Sequence, residues 1–222
     1  MAVVVVSAVN GVEIGTEQVW DHATRNDIPK IIVINGLDRE HVNFNKVLKQ
    51  CKKRFGSNVF PMQLPVNAGP GFNKAVDVLR SELIEYNMDG SGKFTESELP
   101  EDLQLQVDEL HQSLIEYVAE SDDSLLEKFF EQGNLSEEEM RDGIHAAVQN
   151  QTFIPLFCTS STSNIGVARL MDFIAKYGSS PVDRAQITAL DANSNEEKTV
   201  DLAGSDPVLF VYKSISEGHV GE

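Results

Sequence analysis

The stretch Lys30-Ile-Ile-Val-Ile-Asn35-Gly-Leu-Asp38-Arg-Glu40 constrains this chain more than any other. Ile31 to Ile34 are four β-branched residues in succession, leaving no polar face for solvent. Such a run marks a strand covered on both sides. Its neighbours fit a parallel sheet. Ala2 to Ala8 reads as a second apolar strand, Asn10-Gly11 as a turn, and Thr16 to Arg25 as a helix with Thr16 as N-cap. Strand, helix, strand implies a right-handed crossover between parallel neighbours. The second strand ends abruptly in a polar loop, Asn35 to Glu40. Ligands of open α/β sheets bind beyond the carboxyl ends of strands, so Asn35 and Asp38 stand where a nucleotide base could be read.

The chain has 222 residues, enough for one or two domains. His41 to Phe55 spaces Phe44, Val47, Leu48 and Cys51 as one helix face, and Gly56 stops it. Asn58 to Val66 alternates weakly and carries Pro61 and Pro65, which suits an edge or antiparallel strand. Ala68 to Gly71 is a loop. Leu83 to Tyr86 and Lys93 to Thr95 flank Asp89-Gly-Ser-Gly92 as a hairpin would. Asp102 to Glu120 is an amphipathic helix with Leu103, Val107, Leu110, Leu114 and Val118 on one stripe. Leu125 to Phe130 is a short helix, and Ser136-Glu-Glu-Glu139 is a capping box into a helix ending at Gln149. Phe153 to Cys158 returns to strand and closes in Thr159-Ser-Ser-Thr162. Asn164 to Lys176 is helical, and Gly178 to Pro181 breaks it. Beyond this the pattern is β: Ile187 to Leu190, Thr199 to Leu202, and Val208 to Ile215. Met1 to Val6 begins directly as a strand with no basic lead-in, as a chain cut inside a domain would.

The net charge of −17 is concentrated. Residues 57–150 hold 20 acidic and 5 basic side chains, a net of −15, against −2 for the rest. That surface repels phosphate backbones and suits either a basic protein partner or a plain solvated face. No apolar run approaches the ~20 residues of a membrane span. Cys51 and Cys158 form no CxxC and read as reduced thiols of a cytoplasmic protein. The five histidines show no ligand spacing, so no His-based metal site is expected.

Two loops carry the chemistry. Asn35-Gly-Leu-Asp38 is one residue away from the NKxD loop that reads guanine. There the Asp carboxylate accepts from N1–H and the exocyclic amine, a pair adenine cannot offer, while the Asn braces the loop. At the end of the third parallel strand, Thr159-Ser160-Ser161 stands where a backbone N–H would meet guanine O6; the alternative is an ordinary loop whose hydroxyls cap the next helix. A third stretch, Asn87-Met-Asp89-Gly-Ser91-Gly-Lys-Phe-Thr95-Glu-Ser-Glu98, has the oxygen spacing, the glycine and the closing Glu of an EF-hand calcium loop. It reads equally as a hairpin turn. No phosphate-cradling GxxxxGK[ST] is present; Gly92-Lys93 comes nearest, with Asn87 and Phe94 in the wrong places.

Taken together, these pieces resemble bacterial elongation factor G. Val3 to Arg39, with Gly11-Val-Glu-Ile-Gly-Thr-Glu-Gln-Val-Trp20, looks like the second half of its GTPase domain. Val66 to Leu79 and Leu110 to Glu116 look like its G′ insert, and Asn164 to Val167 with Ser180 to Asp183 like the helix and exit that follow. Val208 to Gly221 is similar to the opening of its second domain. Gly36 departs from the family Lys whose stem packs on the base. Thr159 and Ser161 replace Gly and Ala, and Asp38 is retained.

The resemblance implies an α/β fold: a partial P-loop-GTPase-type parallel sheet, an inserted α+β subdomain and the beginning of a β-barrel. Residues 1–56 and 151–183 would belong to the GTPase domain, 57–150 to the acidic insert and 184–222 to the barrel. The phosphate loop and switch regions would precede Ala2. GTP or GDP with Mg²⁺ would therefore be bound by a full-length parent, with none held tightly by this chain, which would not hydrolyse GTP alone. Asn35 and Asp38 would read the base, with Ser160 and Ser161 as the O6 loop. No residue here is expected to be catalytic. The partners implied are the ribosome and, through the acidic insert, the C-terminal domain of the large-subunit stalk protein. Ala2 to Ala8, lacking a neighbour strand, would promote self-association. A calcium-responsive module at 87–98 and a stalk adaptor with a dead nucleotide site are the other readings.

Overall fold

The computed structural model describes residues 1–180, 183, 186–191, 193–202, 204 and 209. Two compact units are distinguished, 1–179 and 180–222. In the first, β1 (Ala2–Ser7), β2 (Lys30–Asn35), β8 (Ile154–Thr159) and β3 (Val59–Pro61) form a parallel sheet in the order β1-β2-β8-β3. An antiparallel sheet runs β4 (Gln63–Pro65), β5 (Lys74–Asp77), β6 (Glu82–Tyr86), β7 (Phe94–Ser97). The helices are α1 (Ile14–Arg25), α2 (Phe44–Phe55), α3 (Glu101–Ala119), α4 (Asp123–Gln132), α5 (Glu137–Gln149) and α6 (Val167–Tyr177). The α/β class expected from the run at 31–34 is the one observed.

β2 explains the packing. Ile32 and Ile34 enter one core with Phe44, Val47 and Cys51 of α2, with Phe72 of the β4–β5 loop, and with Ile84 and Tyr86 of β6. Ile31 and Val33 enter a second core with Leu114, Ile115 and Val118 of α3, Ile144 and Val148 of α5, and Phe173 of α6. All four are at most 3% exposed, each burial contributing roughly 1.5–3 kcal/mol. At the sheet edge, β1 keeps the two-residue period: Val4 and Val6 are buried, while Val3 and Val5 are 43% and 58% exposed. The thiols of Cys51 and Cys158 are unpaired and buried; burial pushes Cys51 up to about 11.

Several boundaries shift. Thr16 is not the N-cap of α1. Glu13 is, and its N–H donates to Thr16 Oγ1 at 3.3 Å. α2 starts at Phe44 because His41 is left-handed and Asn43 caps, accepting from Lys46 N–H at 2.9 Å. α6 starts at Val167, after left-handed Asn164 and Gly166. The segment 58–66 is two strands: Val59–Pro61 joins the parallel sheet beside β8, and Gln63–Pro65 turns into the antiparallel one.

Arg169, 6% exposed, fastens helix α6 to the antiparallel sheet. It pairs with Glu82 and Glu96, lies 4.0 Å from Asp77, and stacks its guanidinium 4.9 Å from the Phe94 ring centroid. Burial raises the carboxyls of Asp77 and Glu82 above the usual range, Arg169 opposing it.

In the second unit, β9 (Gln186–Leu190) and β10 (Glu197–Asp201) form an antiparallel hairpin. The strand expected at Val208 to Ile215 lies outside the described residues, Leu209 excepted. Among the described residues no helix is long and apolar enough to cross a membrane.

Candidate functional site

β2 and β8 are adjacent parallel strands, with Asn35 opposite Thr159 at their carboxyl ends. Both chains must turn away at the same level, so the loops 35–40 and 159–166 meet. Gly36 N–H and Leu37 N–H both donate to Thr159 O, at 3.0 and 3.2 Å. Asn35 joins the loops through its side chain. Its Oδ1 accepts from Ser161 N–H at 2.9 Å and from Thr159 Oγ1 at 3.1 Å, and its Nδ2 donates to Ser161 Oγ at 3.0 Å. The amide is thereby oriented without help from a ligand.

Asp38 lies half-buried one turn further on. Ser163 Oγ donates to its Oδ2 at 3.2 Å. That bond orients the carboxylate through one of its two oxygens. Ser160 is fully buried; its N–H and C=O are both spent on Ile165, at 2.9 Å each. Ser161 is exposed. The structure thus brings Asn35, Asp38 and Ser161 to one surface and turns Ser160 into the loop's interior.

Gly36 adopts φ +84°. A Cβ there would lie 3.5–3.9 Å from Nε, Cδ and Cγ of Arg39, so the Arg39 stem lies beside the place where a side chain at 36 would begin.

Ser163 was not reachable from the pattern alone. The run Thr159-Ser-Ser-Thr-Ser163 offers five hydroxyls, and which one meets Asp38 depends on how the loop folds back at left-handed Asn164. Two further contacts come from the antiparallel sheet: Gly69 N–H donates to Leu37 O at 2.7 Å, and Asn164 Nδ2 to Gly90 O at 3.1 Å.

The calcium reading of 87–98 gives way here. An EF-hand loop needs a helix on each side, whereas this stretch follows β6 directly and contains β7, the two strands paired from Leu83–Ser97 to Tyr86–Phe94. Asp89 Oδ1 and Ser91 Oγ accept from the turn's own Ser91 and Lys93 N–H groups. Asp89's carboxyl is held low by those Ser91 contacts.

A family model described as the elongation factor Tu GTP binding domain matches residues 1–180. Among solved structures, a crystal structure of a protein from Thermus thermophilus is similar at 29% identity with a TM-score of 0.73. The match covers 81% of this chain and 26% of the Thermus chain, so this chain spans about a quarter of that longer protein. With its parallel sheet and paired loops, the chain belongs to the elongation factor Tu GTP-binding domain family, translational GTPases of the EF-G and EF-Tu type that bind guanine nucleotides.

Proposed function

We propose that this chain is the base-reading part of an elongation factor G–like translational GTPase. Residues 1–56 and 151–183 are the second half of its nucleotide-binding domain, 57–150 an acidic insert and 184–222 the start of a β-barrel. The observation that carries the reading is the convergence at Asn35, whose amide ties the β2 and β8 loops and leaves Asp38 facing the same surface. Asp38 accepts from the guanine N1–H and amine. Asn35 holds the loops in register. Of the two serines, Ser161 is the O6 donor, through its exposed hydroxyl, whose oxygen accepts from Asn35 while the Ser161 N–H is held by Asn35 Oδ1; Ser160 is buried and its backbone groups are spent. Arg39 covers the base face left open by Gly36.

These groups fit a guanine. They do not fit the phosphates or Mg²⁺, for the sequence has no glycine-rich cradle with its Lys and Ser or Thr. In a full-length parent GTP supplies the phosphoanhydride that drives ribosomal translocation or recycling, and other parts of that protein hold it. The ribosome is then the partner. The net −15 of residues 57–150 suits a basic face of the stalk protein's C-terminal domain and disfavours direct RNA contact. The cytoplasm is the compartment this implies.

Titration of the chain with GMP, with AMP as control, tests the reading by amide NMR. Shifts at Asn35, Asp38 and Ser161 with GMP alone are expected, with phosphate release from GTP staying at buffer level. Equal response to both nucleotides, or to neither, rejects base recognition. The remaining reading would then be an adaptor with a dead site, which Gly36 favours.

A further inference from the structure

The turn at Asp89–Gly92 joins two strands, and it is built to receive a specific side chain. Gly92 is buried while the turn around it is exposed. A Cβ on Gly92 would lie 2.7 Å from Asn164 Nδ2, closer than real Cβ contacts allow, and 3.1 Å from Asn164 Cγ. The Asn164 amide occupies the space that glycine leaves and donates to Gly90 O at 3.1 Å. Asn164 is itself left-handed, φ +54°, a conformation Asn tolerates better than most residues. Its N–H reaches Ser161 O at 3.4 Å. Ser163, the residue before it, is therefore fixed from both sides: its N–H meets Ser160 Oγ at 3.4 Å, and Asn164 is pinned to the turn. Ser163 Oγ is the group that holds Asp38 Oδ2.

We infer that Asn164, seated on the 89–92 turn, is a positioning residue for base recognition: it sets Ser163, and through Ser163 the orientation of the Asp38 carboxylate. This rests on the reading of Asn35 and Asp38 as the base-reading pair. The chain of contacts is short and continuous, from Gly90 O to Asn164, to Ser163, to Asp38. The other loop has a parallel tie, Gly69 N–H to Leu37 O at 2.7 Å. The antiparallel sheet thus grips both loops of the site, one hydrogen bond to each. Coupling of this kind is reciprocal, so whatever displaces the 87–93 turn changes guanine affinity, and a bound guanine stiffens the turn.

A double-mutant cycle read by GMP affinity tests the inference. Asn164→Ala removes the amide. Asn164→Asp keeps its size and sets a carboxylate against Gly90 O. Gly92→Ala pushes the amide off its seat. Each is expected to weaken GMP binding roughly 3- to 10-fold and to shift the Ser163 and Asp38 resonances, at denaturant-free conditions where all variants are folded. Gly92 is at φ +71°, so Gly92→Ala strains the turn in either background and lowers its stability; in the Asn164→Ala background it is expected to add nothing to the loss of GMP affinity, because its path to Asp38 runs through the missing amide. Unchanged GMP affinity in both Asn164 variants, with the wild type still preferring GMP to AMP, overturns the positioning role and leaves base recognition standing. Additive losses in the double variant overturn it too, since the turn then acts by another route. A wild type that does not prefer GMP ends both readings together.

Discussion

Gly36 holds φ at +84°, a region that costs an L-residue about 1–2 kcal/mol. The residue at this place is therefore bound up with the shape of the loop, and a lysine cannot be restored by side-chain exchange alone. The space is open, since the nearest atoms to a Cβ are those of Arg39 at 3.5 Å, so the strain lies in the backbone. Gly36→Lys is expected to lose about 1 kcal/mol, roughly 2–4 °C in Tm for a chain of this size. Thermal denaturation reads this directly, and an unchanged Tm would show a loop that relaxes. At this scale the sequence was half legible. Asn35 and Asp38 were visible because a β-branched run ends in a polar tip, and the place of such tips is general to α/β sheets. Ser163, Asn164 and Gly90 were not, because each acts through a contact spanning 74 to 125 residues.

At the scale of elements, helix α5 shows how local chemistry fixes an end. Ser136 Oγ accepts from Glu139 N–H at 3.3 Å, Glu139 Oε2 accepts from Ser136 N–H at 2.9 Å, and Lys128 of α4 pairs with the same carboxylate. The Lys128 and Ser136 hydrogen bonds hold the Glu139 carboxyl down to about 2. A carboxyl depressed in the folded state stabilises above its unfolded value, near 4.5, and that contribution is lost as pH falls toward 2. Glu139→Gln is therefore expected to lower Tm at pH 7 and to differ little from wild type at pH 2. A gap that persists at pH 2 would place the effect in packing instead. The capping box was readable because its residues lie three apart. The starts of α2 and α6 were not. Their apolar spacing continues upstream through His41 and Asn164, and only the left-handed backbone there interrupts it. The division of 58–66 was hidden for another reason: strand pairing, which is nonlocal, decides which sheet each half joins.

For the whole molecule, an edge and a fastening matter most. Among the described residues β1 pairs only with β2, and Val3 and Val5 stand exposed beside it. An open apolar edge is a template for another strand. Light scattering at high concentration is expected to give a mass above the monomer, and Val5→Lys to bring it down; a wild type that stays monomeric removes the edge from consideration. The fastening is Arg169. Its partners come from three successive strands, Asp77, Glu82 and Glu96, and it follows them by 73 residues or more. A ribosome making this chain completes the antiparallel sheet, in which Arg80 lies 3.8 and 3.7 Å from Glu82 and Glu96, long before it makes Arg169. These three carboxylates, answered in part by Arg80, gain their second cation only when the last helix of the unit emerges. That order of synthesis makes the docking of α6 onto the sheet a late event.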